Sequence, residues 1–170
     1  MELKWIGAML VMGGCGGFGI CVAAAVRREE RLLRQLHHIL CFMESELQYH
    51  LTPLPGLCRQ AAAQGTGILR GLFQELAREL DMQIAPDAGS CMSAVLSRVP
   101  DLPKSSRRIC RQLGNTLGIF DLPGQLKGLE EAQQVCQRAL EQLEKGQAAR
   151  LRSYQTLALC AGAALTILFL

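Results

Sequence analysis

The sequence predicts an all-α protein, an antiparallel bundle of about six helices with an N-terminal and a C-terminal transmembrane helix. Apolar residues make up 49% of its 170 residues and aromatic residues only 5%, so the residues that strands favour are scarce. Leucines recur at three- and four-residue steps along the middle of the chain, which is the spacing of one helix face. Every charged residue except Glu2 and Lys4 lies between two charge-free ends.

The charge-free ends are the basis of the domain prediction. Residues 5–26 would extend over about 33 Å as a helix and residues 153–170 over about 27 Å, against a hydrocarbon core of about 30 Å. We therefore predict transmembrane helices at residues 1–26 and 153–170 and a helical bundle at residues 27–152. A cleaved signal peptide is the alternative for the first segment, but the arginines that follow it would resist translocation.

The segment GGCGGFG at residues 13–19 fits two different patterns. It contains the G-x-G-x-x-G of dinucleotide-binding loops, and through Gly13 and Gly17 it also contains the G-x-x-x-G of closely packed membrane helices. No strand is predicted before the glycines, and Arg34 stands where an acidic ribose contact would be needed. We therefore expect no nucleotide cofactor, and we expect Gly13 and Gly17 to pack against the second span near Gly162.

Basic residues flank both ends of the middle segment. They are Arg27, Arg28, Arg31, Arg34, Lys145, Arg150 and Arg152. Because Lys and Arg remain on the cytoplasmic side of membrane proteins, they predict a cytoplasmic bundle. The two clusters would meet at one end of that bundle beside anionic head groups, which makes membrane lipids expected partners; the alternative is that they only set the topology. A net charge of +3 is too small to indicate a nucleic-acid partner.

The first half of the middle segment predicts three helices. An apolar stripe from Leu32 to Leu47 continues the first span as one helix, which ends before Pro53. The prolines that follow suit the first turn of a second helix, which runs to about Gln64. After a turn that contains glycine, a third helix ends near Met82.

The second half predicts three more helices. A short fourth helix is expected at residues 91–99, and a fifth begins at Pro103 and ends at Gly118. Asp121 is expected to cap the sixth helix. Its apolar stripe continues to Leu143 with a seven-residue period, which suits packing along neighbouring helices.

The chain offers one pattern that resembles a metal site. His37, Cys41 and Glu44 lie at i, i+4 and i+7, so they share a helix face. They include only two strong ligands and flank the leucine stripe, so we expect packing rather than a metal or another cofactor. No catalytic motif is found, and an interaction protein is favoured over an enzyme. A membrane-anchored enzyme or metal protein that uses His37 and Cys41 is the alternative.

Two stretches resemble the stage III sporulation protein AB family of endospore-forming bacteria. They are ESELQYHLTPL at residues 44–54 and LGNTLGIFD at residues 113–121, with Gln125 following. The resemblance covers essentially the whole chain in order and spacing. It implies a helical bundle similar to the cytoplasmic domains of type II secretion and type IV pilus platform proteins.

The resemblance also implies a setting and partners. A family member belongs to the multiprotein channel complex between mother cell and forespore, in the mother-cell membrane that faces the forespore. Its partners are the other subunits, including an ATPase that the family member couples to the channel without hydrolysing anything itself. No small-molecule substrate is implied.

The first and last turns of the bundle are expected to lie together, away from the basic end. Polar residues there are the candidate partner-binding residues: Glu46, Tyr49, Asp121 and Gln125. The alternative is that Asp121 and Thr52 are helix caps and that Tyr49 belongs to the core.

Overall fold

The computed structural model describes residues 2–83, 87–118 and 121–169, with side chains described for residues 24–83, 87–118 and 121–146. Within these ranges it contains six α helices and no strand, as the composition and periodicity predict. The helices are α1 (Glu2–His50), α2 (Leu54–Gln64), α3 (Gly67–Asp81), α4 (Ala88–Arg98), α5 (Lys104–Thr116) and α6 (Leu122–Phe169).

The prediction of transmembrane helices at residues 1–26 and 153–170 is contradicted. Over the part of the chain that the structure describes, no helix combines the length and the apolar character needed to cross a membrane. The described side chains of α1 begin at residue 24 and lead directly into six charged side chains at residues 27–34, which a hydrocarbon core could not solvate.

Five of the predicted membrane-packing and basic residues lie outside the residues whose side chains are described. They are Gly13, Gly17, Arg150, Arg152 and Gly162.

The six helices form a closed ring. Each helix packs against its neighbours in the sequence, and α6 returns to pack along α1. Successive helices run in opposite directions, so the connections alternate between the two ends of the bundle. The core lies inside the ring.

One end of the bundle collects the first, third and last connections. A Cβ built on Gly118, in the α5–α6 connection, would lie 3.2 Å from Cδ2 of Leu54 at the start of α2. It would lie 3.8 Å from Cβ of Ala88 at the start of α4. We call this the turn end.

The opposite end is where the described side chains of α1 begin, among the arginines at residues 27–34. Gln35 Nε2 donates a hydrogen bond of 2.6 Å to Thr66 Oγ1 in the α2–α3 turn. The Ser105 hydroxyl at the start of α5 donates to Glu29. These contacts define the arginine end.

The core follows the apolar stripe predicted for α1. Leu33, Leu36, Leu40 and Met43 recur at three- and four-residue steps, and all four are fully buried. Phe73 of α3 is the largest side chain in the fully buried set. Side chains of this size contribute about 1.5–3 kcal/mol each when they are buried, so the ring depends on the inward face of α1.

Polar contacts set the register of α6 along α1. Arg34 donates to Glu144 over 2.9 Å near the arginine end, and Gln133 Nε2 donates to Glu44 over 2.7 Å further along the pair. These contacts join residues that are far apart in the sequence, so they hold the first and last helices side by side.

Gly114 marks the closest approach of α5 to α4. A Cβ on Gly114 would lie 2.6 Å from Cβ of Met92 and 2.9 Å from its Cγ. Met92 is fully buried, and a Cβ cannot rotate away from a neighbour because its position is set by the backbone. Only glycine lets the two helices pack at this distance.

We predict that Gly114→Ala lowers the free energy of unfolding by about 2 kcal/mol, because the added methyl group overpacks the α4–α5 contact. The matched control is Gly71→Ala in α3, where an added Cβ meets nothing within 4 Å. That control should raise the free energy of unfolding by about 0.5–1 kcal/mol. Urea unfolding followed by circular dichroism measures both, and a Gly114→Ala variant as stable as the control contradicts the close-packing argument.

Candidate docking site

Three large apolar side chains are exposed among the described residues, and all three lie at the turn end. Tyr49 is 73% exposed, Leu51 65% and Met82 60%. Tyr49 and Leu51 stand where α1 ends, and Met82 follows the last residue of α3. The alternative that Tyr49 belongs to the core is therefore wrong.

The backbone beside these side chains is strained. Leu51 and Gln83 each have a φ of +50°, and no other non-glycine residue in the described ranges has a positive φ. This left-handed conformation costs a residue with a Cβ about 1–2 kcal/mol. Such strain persists only where the surroundings enforce it, and it is often found at functional sites.

Glu46 holds the strained turn from inside. Its carboxylate accepts a hydrogen bond of 3.2 Å from the Thr52 hydroxyl and lies 3.5 Å from His50 Nδ1. The Glu46 side chain is only 18% exposed. The helix cap predicted at Thr52 is wrong, because Pro53 occupies the cap position of α2 and the Thr52 side chain bonds back to α1.

Asp121 caps the last helix at the same end. Its Oδ1 accepts a hydrogen bond of 3.2 Å from the backbone N–H of Gly124, and its carbonyl accepts one of 2.9 Å from the N–H of Gln125. The prediction of a helix cap is confirmed for Asp121. Partner binding by Asp121 and Gln125 stays a prediction.

The residues that resemble a metal site do not converge. Cys41 Sγ lies 3.7 Å from His37 Nδ1, but the Glu44 carboxylate accepts a hydrogen bond from Gln133 across the α1–α6 contact. Among the residues that the structure describes, no three His, Cys, Asp or Glu side chains lie close enough to hold a metal ion. Burial, followed by the nearby Glu44 charge, raises the pKa of the Cys41 thiol.

The other described cysteines are buried thiols. Burial raises the pKa of Cys58 and of Cys110 to about 12 and that of Cys136 to about 11. Cys136 Sγ donates to the carbonyl of Leu33 over 3.1 Å. All five described cysteines are free, with Cys41 the exposed one.

The predicted basic residues separate into two environments at the arginine end. Arg28 and Arg31 line a groove between α1 and the α2–α3 turn. Arg34 instead faces α6, where it bonds to Glu30 and Glu144 at 2.9 Å each. Arg27 and Lys145 are exposed.

Sequence reasoning missed Leu51 and Met82. Each follows the end of a helix, where an exposed polar residue or a glycine would be ordinary. The signal available in the sequence was a large apolar residue immediately beyond an apolar stripe. It was not decisive, because such a residue can also fold back onto the core.

These features define a class: an antiparallel six-helix bundle whose turn end presents apolar side chains on a strained backbone. The sequence profile of a family described as Stage III sporulation protein AB matches residues 4–170. The chain belongs to the stage III sporulation protein AB family and has a role in sporulation, as the resemblance at residues 44–54 and 113–121 predicts.

Two relatives illustrate the similarity. The Stage III sporulation protein AB of Bacillus subtilis (strain 168) is 29% identical over 171 residues, covering 99% of each chain. A solved structure of Stage III sporulation protein AB (SpoIIIAB) is 30% identical with a TM-score of 0.61. The match covers 69% of this chain and 94% of that one.

We predict that the protein loses stability as the pH rises from 9 towards 12. An unfolded thiol ionises near pH 9.0, whereas folded Cys58 and Cys110 keep their protons to about pH 12. The folded state therefore binds more protons in this window, and the free energy of unfolding falls as pH rises. Urea unfolding between pH 8 and 11 under reducing conditions should show a shallower fall for Cys110→Ala than for the wild type, and a smaller change for Cys41→Ala. Equal slopes contradict the assignment.

Proposed function

We propose that this chain is a non-enzymatic docking subunit of the channel complex built between mother cell and forespore. The observation that carries the proposal is the combination, at the turn end, of exposed apolar side chains and a strained backbone. Such strain persists only where the surrounding structure enforces it. If this turn only joined two helices, we would expect residue 51 to be either buried or polar. Membership of a sporulation family supports the setting.

The partner that fits this end best is the ATPase of the same complex, which the family resemblance implies. Tyrosine and other large apolar side chains supply much of the binding energy in protein interfaces. Tyr49, Leu51 and Met82 are the anchors in this proposal. Glu46 and Asp121 act indirectly, because their hydrogen bonds hold the first and last turns in shape.

The state of the thiols supports a non-enzymatic role. A cysteine nucleophile reacts as the thiolate, which requires a lowered pKa. Cys41 is the exposed thiol among the described cysteines and stands beside His37, yet its pKa is raised. We propose that His37 and Cys41 pack at the edge of the core and perform no chemistry.

The proposed location is the mother cell, with the bundle on the cytoplasmic side of the membrane that faces the forespore. The free thiols suit a reducing compartment. The arginine end would then lie towards anionic lipid head groups and the turn end towards the ATPase, since the two ends are on opposite sides of the bundle.

We predict that Leu51→Gly weakens ATPase binding about tenfold or more while the fold stays intact. The substitution removes the exposed side chain and relieves the left-handed strain, so the free energy of unfolding should stay the same or rise by about 1 kcal/mol. Biolayer interferometry between the purified full-length proteins measures binding, and urea unfolding measures stability. Sporulation frequency should fall with binding.

Two further variants make the result specific. Leu51→Asn keeps a residue that tolerates the left-handed region and should weaken binding as Leu51→Gly does. Gln134→Ala, at an exposed position on α6, is the control and should bind as the wild type does. Normal binding by both Leu51 variants refutes docking at the turn end.

We predict that a membrane-impermeant maleimide leaves Cys41 unmodified in intact sporulating cells and modifies it once the cells are permeabilised. Cys41 is the exposed thiol of the described set, whereas Cys58 is fully buried and should react only after denaturation. Peptide mass spectrometry reads each site separately. Modification of Cys41 in intact cells would contradict the cytoplasmic location.

A further inference from the structure

A groove of about 480 Å³ lies between α1 and the α2–α3 turn at the arginine end. Arg28 and Arg31 form one side of it, one turn of α1 apart. Leu32 and Ile68 are half-buried in it and make part of its surface apolar, and Thr66 contributes a hydroxyl. The groove therefore combines two cations with apolar surface.

The positive charge of this groove is not neutralised by the described residues. No carboxylate of a described residue lines it, and neither arginine makes an ion pair with another described side chain. The nearest carboxylates in the sequence are engaged elsewhere: Glu29 accepts from Ser105 and Glu30 from Arg34.

A second cavity shows that this imbalance is specific. The cavity between α1 and α6 is of similar size, about 540 Å³, and is also lined by an arginine, Arg34. There the lining includes Glu141 and Glu144, and Arg34 bonds to Glu144 at 2.9 Å. The fold balances charge in one cavity and leaves it unbalanced in the other.

The polar edge of the groove is arranged to donate to an anion. Gln35 Nε2 donates to Thr66 Oγ1 over 2.6 Å, so the Thr66 oxygen acts as acceptor and its own proton is left to donate outward. Gly67, next to it, has a φ of +54°, and an added Cβ there would meet nothing within 4 Å, so the mouth stays open.

We propose that this groove binds the phosphate of an anionic lipid head group. Guanidinium groups match phosphate oxygens in charge and geometry, and Leu32 and Ile68 would contact the glycerol and the first methylene groups. A free phosphate ion shares the anion chemistry, but it would make no use of the apolar surface. The inference rests on the lipid contact proposed above and assigns it to one site.

The test is calorimetric titration of the purified full-length protein with dihexanoyl phosphatidylglycerol below its micelle concentration. Dihexanoyl phosphatidylcholine and inorganic phosphate are the comparison ligands. The double variant Arg28→Gln/Arg31→Gln removes the groove cations. Its matched control is Arg108→Gln/Arg111→Gln, which removes two exposed arginines at the same spacing on α5.

We expect the wild type to bind the anionic lipid about tenfold more tightly than either comparison ligand. The groove variant should lose about tenfold in affinity, as expected for lost charge-assisted hydrogen bonds, and the α5 control should stay within about twofold of the wild type. Equal losses in the two variants would show diffuse charge attraction and overturn the site. Phosphate binding as tight as lipid binding would make the ligand a free anion and overturn the lipid assignment.

Flotation with vesicles that contain phosphatidylglycerol separates the two proposals. If the wild type floats with these vesicles but does not bind the short-chain lipid, the general lipid contact stands and the groove is overturned. If it does neither, both fail. Partner docking at the turn end is measured separately and is unaffected by either result.

Discussion

The pairing of α6 with α1 is the contact on which the rest of the structure depends, because it closes the ring of helices. Without it the chain would be a row of hairpins with the apolar face of α1 open to water. The pair combines buried leucines with two polar links, Arg34 to Glu144 and Glu44 to Gln133. Apolar burial supplies most of the stability, whereas the polar links select one register, since a helix can slide along an apolar stripe more easily than along paired hydrogen bonds.

Closure of the ring also determines what the turn end can do. Because α1 ends and α6 begins there, the first and last connections lie side by side, and Gly118 comes close to Leu54. Glu46 and Asp121 each bond to groups within their own connection. The bond from Thr52 to Glu46 spans Leu51, whose backbone is left-handed and whose side chain faces solvent.

The two ends of the bundle differ in the chemistry that they present. The turn end presents apolar side chains, which suit a protein partner that can exclude water from them. The arginine end presents the groove beside Arg28 and Arg31, which no described carboxylate lines and which suits an anionic ligand. A bundle of this kind can hold two different partners at a fixed separation, because rigid helices connect the ends.

The sequence by itself determined the helices and their inward faces, because helical periodicity is local: Leu33, Leu36 and Leu40 share one face in any helix. It also determined the cap at Asp121 and the family, through residues 44–54 and 113–121. It did not determine the state of the chain ends, since an absence of charge is compatible with several environments, and the predicted membrane spans were wrong.

Tertiary structure decided the rest. The exposure of Tyr49, the strain at Leu51, the bond from Thr52 to Glu46 and the groove beside Arg28 depend on contacts between residues that lie on different helices or across a turn. The same holds for Glu44, which the local pattern grouped with Cys41 and which the fold turns towards Gln133. The spacing of residues along a helix determines which of them share a face. Only the packing of neighbouring helices determines what that face contacts.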